Sequence, residues 1–136
     1  MLARVTFPPY ARLYSLDMCG INGFVGTADS PLGAMNGKTA HRGPDFAGVY
    51  GNGQVYLGHR LLAIREAAEG SRQPVQKIGS PWVFICNGQI YNSKQIAKDF
   101  SLPYHDLDTT VIYTLIEKIG WNFIRHIQGM FAIALY

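Results

Sequence analysis

Cysteine is scarce in this chain, and the two present, Cys19 and Cys86, form no Cys-x-x-Cys pair and no ligand spacing with any of the four histidines. That pattern argues against a disulfide framework and against a zinc site, and a reduced, cytoplasmic protein is the expectation. Long apolar runs are missing too: nothing approaches the roughly 20 continuous apolar residues of a membrane-spanning helix, so no membrane partner is expected. Blocks of one charge are equally absent. The twelve Lys and Arg are scattered with no run of three, and a net charge of +3 spread in this way describes a solvated surface, not a nucleic-acid stripe. Arg4, the Pro8-Pro9 pair and Arg12 interrupt any apolar stretch in residues 1 to 17, which excludes a secretory signal of the usual pattern.

What remains is a globular composition, 48% hydrophobic and 15% charged over 136 residues, enough for one domain. From Cys19, "CGINGFVG" is small and apolar and reads as a buried strand. Ser30-Pro31 suits the cap and first position of a helix that Gly33 and Gly37 keep short, and "HRGPD" at 41 to 45 is a loop. "FAGVY" and "QVYLGHRLLAI" flank "GNG" at 51 to 53, the pattern of a β-hairpin. "PWVFIC" at 81 to 86 is a short buried strand, with Asn87-Gly88 as a tight turn at its end. Ser93 is placed to cap a helix over 94 to 100 that buries Ile96, Ala97 and Phe100. From Asp108, the residues Val111, Ile112, Leu115, Ile116 and Ile119 make one helical face that Gly120 stops, and Phe123, Ile124 and Ile127 suggest a further turn or two. "GMFAIALY" reads as another buried strand in which the chain ends, as a fragment of a larger protein would. Strands joined by hairpins, with helices in separate blocks, predict an α+β fold of antiparallel sheets. His41, His59 and His105 fall in or beside loops and His126 follows the last amphipathic run. None is paired at helical metal-ligand spacing, and no metal is expected.

Two features carry chemistry. A cysteine that begins a chain has its own α-amine beside its sulfur. Such an amine titrates near about pH 8 and a free thiol near about 8.5, so the first can serve as base for the second. An asparagine amide beside a glycine N–H offers two donors of the kind that hold an oxyanion. Each feature also has a plainer reading, a small buried cysteine and a simple turn.

The motifs "MCGINGFVG" at 18 to 26, "HRGPD", "GHRLLAI" at 58 to 64, "NGQIYN" at 87 to 92, "DTTVI" at 108 to 112 and "GMFAIALY" at 129 to 136 occur in one order over nearly all of 18 to 136. Together they resemble the glutaminase domain of glutamine-hydrolysing asparagine synthetases. "HRGPD" with "NGQIYN" points to that branch of the class II glutamine amidotransferases and away from the sugar-phosphate and phosphoribosyl branches. The resemblance implies an N-terminal nucleophile hydrolase-type αββα sandwich of antiparallel sheets, truncated at its C-terminal end. It implies Cys19 as nucleophile and Asn87 and Gly88 as oxyanion donors. Leu61, Leu62, Ala63, Ile64, Arg65 and Gln89 would line the substrate pocket, and Asp108 would receive the α-amine of glutamine. Arg42 would shape the loop around the nucleophile. Ammonia would pass to a synthetase domain outside this chain, and ATP and Mg²⁺ are expected only there.

This sequence departs from the family in one contact and in its start. The arginine that grips the glutamine carboxylate in the family falls on Leu61, leaving Arg60 or Arg65 as substitutes and predicting weak glutamine affinity. Residues 1 to 18 precede the nucleophile as a leader. Either Met18 is the true start, or the leader is a propeptide, or it persists and leaves Cys19 without a free amine. Two functions follow as alternatives: a glutaminase feeding a synthetase, or an inactive glutaminase-like module that docks on one.

Overall fold

A computed structural model describes residues 19–27, 31–63 and 70–136 of the chain. The proposed leader, Ser30, Ile64 and Arg65 lie outside them. The first strand, β1 (Gly20–Val25), follows Cys19 directly, and helix α1 (Leu32–Lys38) comes next. Strands β2 (Phe46–Gly51) and β3 (Val55–Leu61) form the expected hairpin. Its turn is closed by the Asn52 carboxamide oxygen, which accepts from the N–H groups of Gln54 at 3.0 Å and Val55 at 2.8 Å, while Gly53 takes the positive φ of 90°. β1 adds to the other side of β3, giving a three-stranded antiparallel sheet in the order β1-β3-β2.

The second sheet pairs β4 (Phe84–Ile90) with β5 (Gly129–Leu135), again antiparallel. Between them in sequence lie α2 (Ser93–Asp99), α3 (Asp108–Ile119) and a 3₁₀ turn over Gly120–Arg125. Strand alternation sorts the side chains into layers. Val83 and Ile85 meet Leu57, Ile21 and Tyr50 between the two sheets. Phe84, Cys86 and Ile90 point the other way, into the larger core built with Ile96 and Ala97 of α2 and Val111, Ile112, Leu115 and Ile116 of α3. On the outer side of the first sheet, α1 is docked through polar groups: Asn22 donates to the Asn36 side chain at 3.1 Å, and Asn36 donates to the Gly48 carbonyl at 3.4 Å. The order helix, sheet, sheet, helices is the αββα arrangement, and the α+β expectation holds.

Gly120 ends α3 at φ 57°, as its place in the periodicity predicts. Other local expectations do not hold. Asn87-Gly88 is not a turn: both residues lie inside β4, opposite Ala132 and Phe131 of β5. The cap position of α2 is Asn92, with Ser93 the first helical residue. The Asn92 side chain is turned outward, donating to the His126 carbonyl at 2.8 Å and accepting from the Gln128 N–H at 2.8 Å. Ile124 is exposed although Phe123 and Ile127 are buried, because the 3₁₀ winding advances about 120° per residue and swings it off their face. β5 is not a buried strand. It is an edge strand among the described residues, with Met130 and Phe131 exposed. His59, expected near a loop, sits mid-β3 with no exposed surface.

Candidate active site

Cys19 stands immediately before β1, and the pairing of β1 with β3 brings it to the far end of β3, where Gly20 faces Arg60. There the Leu62 N–H donates to Cys19 Sγ at 3.5 Å. The "HRGPD" loop closes around the same point. Arg42 Nε donates to the Cys19 carbonyl at 3.4 Å, and Arg60 Nε donates to the Gly43 carbonyl at 2.9 Å. Gly43 is buried, and a Cβ there would strike the Arg60 carbonyl, so no larger residue allows this approach. Asp45 completes the docking: its N–H donates to the Leu61 carbonyl at 3.0 Å and its carboxylate accepts from the Ala63 N–H at 2.7 Å. The loop therefore holds the Cys19 carbonyl and the end of β3 beside it.

β4 supplies the second half of the site. In its antiparallel ladder the N–H groups of alternate residues face opposite edges. Val83 and Tyr91 bond across to Tyr136 and Gln128, so the odd positions belong to the β5 side. The even positions face the other edge. Phe84 donates to the Val75 carbonyl at 3.0 Å, Cys86 donates to Gln73 Oε1 at 2.6 Å, and Ile90 donates to Asp108 Oδ2 at 2.8 Å. The Gly88 N–H belongs to this edge, between Cys86 and Ile90, and no hydrogen bond from outside the β4–β5 ladder reaches it among the described residues. Gly88 adopts φ 149°, and a Cβ there would run into the Met130 carbonyl, so glycine is required for the strand to pass. Asn87 shares the face of Val83 and Ile85, toward the first sheet, and its half-buried side chain makes no hydrogen bond among the described residues. Two donors, one amide side chain and one backbone N–H, thus stand side by side without a partner among the described residues.

Asp108 opens α3, where a carboxylate is favoured by the helix terminus, and accepts from Ile90 and from its own neighbour Thr109 at 2.8 Å. Burial, with smaller contributions from the nearby negative charges of Asp108 and Cys19, pushes the Cys86 thiol up to about 12. Of the two cysteines, Cys86 is the inert one. Burial likewise holds His59 down at about 4, only partly opposed by the backbone of Cys86, and neither ring nitrogen finds a hydrogen-bond partner among the described residues. Leu61, the position the resemblance assigns to a carboxylate-binding arginine, is apolar and 4% exposed. Arg42 and Arg60 lie beside it, and among the described residues each engages a backbone carbonyl through Nε alone. Gln89 is exposed opposite Met130. Sequence reasoning missed Gln73, whose pairing with Cys86 depends on a sheet edge and leaves no local signal.

Cys19, the loop around it and the open donors on β4 make a candidate acyl-transfer site on an αββα sandwich. The family model for glutamine amidotransferase domains matches residues 18–136, and the chain belongs to that family. More particularly, it is similar to glutamine-hydrolyzing asparagine synthetases of plants. It is 34% identical over 128 residues to those of Triphysaria versicolor, Pisum sativum (the nodule enzyme) and Arabidopsis thaliana. The match takes in 87% of this chain and 21% of each relative, so the chain spans about a fifth of the length of these proteins.

Proposed function

We propose that this domain hydrolyses the side-chain amide of glutamine at Cys19 and supplies the ammonia to an ATP-dependent synthetase domain, fused or separate, that forms an amide. The names of the relatives suggest asparagine as the product. The Cys19 amine, freed of its leader, takes the thiol proton as sulfur attacks the amide carbon. The C–S bond forms and the oxygen becomes an oxyanion beside the Asn87 side chain and the Gly88 N–H. As the C–N bond breaks, the amine returns the proton to the departing ammonia. Water then cleaves the thioester to glutamate by the same route. The carboxylate of Asp108 is the group for the substrate's α-amine, and the guanidinium nitrogens of Arg42 and Arg60 beyond Nε suit its carboxylate in place of the Leu61 side chain. ATP and Mg²⁺ act only in the synthetase domain, and the mechanism requires a compartment, such as the cytoplasm, that keeps Cys19 a thiol.

The observation that carries this reading is a partly exposed thiol that takes the Leu62 N–H at the end of β3, in a fold whose β4 holds the Asn87 side chain and the Gly88 N–H without a partner among the described residues. The test is ammonia release from glutamine by the chain beginning at Cys19, with Cys19→Ala as control. Release that depends on Cys19 is the expected result. Equal, background-level release from both favours the alternative that Leu61 supports, a glutaminase-like module that docks on a synthetase without turnover.

A further inference from the structure

The free edge of β4 is completed by a side chain. Val75 pairs with Phe84 as an isolated bridge, and beyond it no backbone continues the edge among the described residues. At the next even position the Gln73 carboxamide does what a neighbouring strand would do. Its Oε1 accepts from the Cys86 N–H at 2.6 Å and its Nε2 donates to the Cys86 carbonyl at 3.1 Å, both bonds buried. One planar amide thereby occupies both backbone groups of the residue that precedes Asn87-Gly88. Four residues on from Cys86, the Ile90 N–H is taken by Asp108 at 2.8 Å. The Gly88 N–H is the even position left open between these two clamps.

Gln73 is itself held from the other side. Its backbone carbonyl lies so close to Gly48 of β2 that a Cβ on Gly48 would collide with it, and the Arg72 guanidinium sits 4.8 Å over the Phe46 ring of the same strand. The first sheet, which positions Cys19 through β1 and β3, thus sets the place of Gln73. Gln73 in turn sets the place of the β4 edge.

We propose that Gln73 is a positioning residue for the oxyanion donors: it fixes the Cys86 peptide groups so that the Gly88 N–H and the Asn87 amide stay unpaired and in register with the thiol of Cys19. The proposal rests on the glutaminase reading for its effect on rate, but its structural half stands apart. Gln73 touches no reacting atom. Its loss should therefore lower kcat, because the donors act only on the oxyanion, and leave the glutamine KM nearly unchanged.

The test has two arms. In the full chain, amide hydrogen exchange should show Cys86 protected and Gly88 exchanging quickly, and Gln73→Leu, which keeps the volume and removes both bonds, should release the Cys86 amide. In the form with a free Cys19 amine, Gln73→Leu should lower kcat by the order of tenfold to a hundredfold with KM within about twofold. Gln73→Glu separates positioning from packing. A protonated carboxyl can both accept from and donate to Cys86, whereas a carboxylate repels the Cys86 carbonyl, so the ratio of variant to wild-type kcat should rise as pH falls. His59, Cys86 and Asp108 are present in both proteins, and their contributions cancel from that ratio. Should Gln73→Leu fail to fold, Gly48→Ala, which displaces the Gln73 backbone, and Gln73→Glu carry the same comparison. An unchanged Cys86 exchange rate, or a wild-type kcat in Gln73→Leu, overturns the proposal. A wild type that releases no ammonia sinks the glutaminase reading alone, and the exchange arm then decides whether Gln73 holds the edge.

Discussion

Burial shifts two core residues of this protein in opposite directions and keeps both of them neutral. Cys86 is driven up to about 12 by burial and by the neighbouring negative charges, so it stays a thiol at any working pH. Alkylation of the native protein by a small thiol reagent near pH 8 should therefore label Cys19 alone, with Cys86 reacting only after denaturation, as mass analysis of the two peptides would show. His59 is held neutral at about 4 against its ordinary 6.5. Between these values the unfolded chain binds a proton that the folded one refuses, so stability rises with pH across that window. The stability is fully present above about 6.5 and is lost as pH falls toward 4, amounting to the order of 3 kcal/mol. Urea midpoints measured at pH 4.5 and 7.5 should differ in that direction, and His59→Leu should flatten the difference. An unaltered acid loss in His59→Leu would place its origin elsewhere.

At the scale of elements, β4 decides the site, and it also marks where sequence reasoning stops. The β2–β3 hairpin and α3 were legible because their signals are local: Gly53 at a turn, five apolar residues on one face, Gly120 as a stop. Asn87-Gly88 carries the same local signal as a turn, yet pairing with β5, more than forty positions away, draws it into a strand. Tertiary pairing overrides turn chemistry here. The donor types alone already marked the pair as an oxyanion candidate, and the resemblance added the assignment. The apolar character of β5 was legible but its exposure was not, since burial depends on what lies across the sheet. Gly88→Ala tests the element directly. The Cβ would meet the Met130 carbonyl, and a residue forced to φ 149° adds strain. A loss of about 1–3 kcal/mol in urea unfolding is expected, with faster exchange of the β5 amides. Stability equal to wild type would mean that the strand passes Met130 differently.

For the whole molecule, the two sheets divide the work of the proposed reaction. The first positions the thiol and the loop that encloses it; the second presents the open donors, backed by the helices that fill the larger core. Among the described residues this division leaves one flank uncovered. β5 shows a free strand edge among the described residues, with Met130 at 64% exposure and Phe131 at 37% beside it. Such an edge pairs readily with another chain. Self-association that grows with concentration is the expected behaviour of these 136 residues in sedimentation, reduced by Met130→Lys, and a monomer at all concentrations would contradict it.

The central claim, that Cys19 is a nucleophile activated by its own amine, is tested most directly by trapping the acyl intermediate. Protein beginning at Cys19 and protein retaining Met18 are mixed with glutamine, quenched in acid, and their Cys19 peptides weighed. A glutamyl adduct on Cys19, formed only when its amine is free and formed at the rate of ammonia release, is the predicted result. No adduct in either form, or equal adducts in both, would contradict the account.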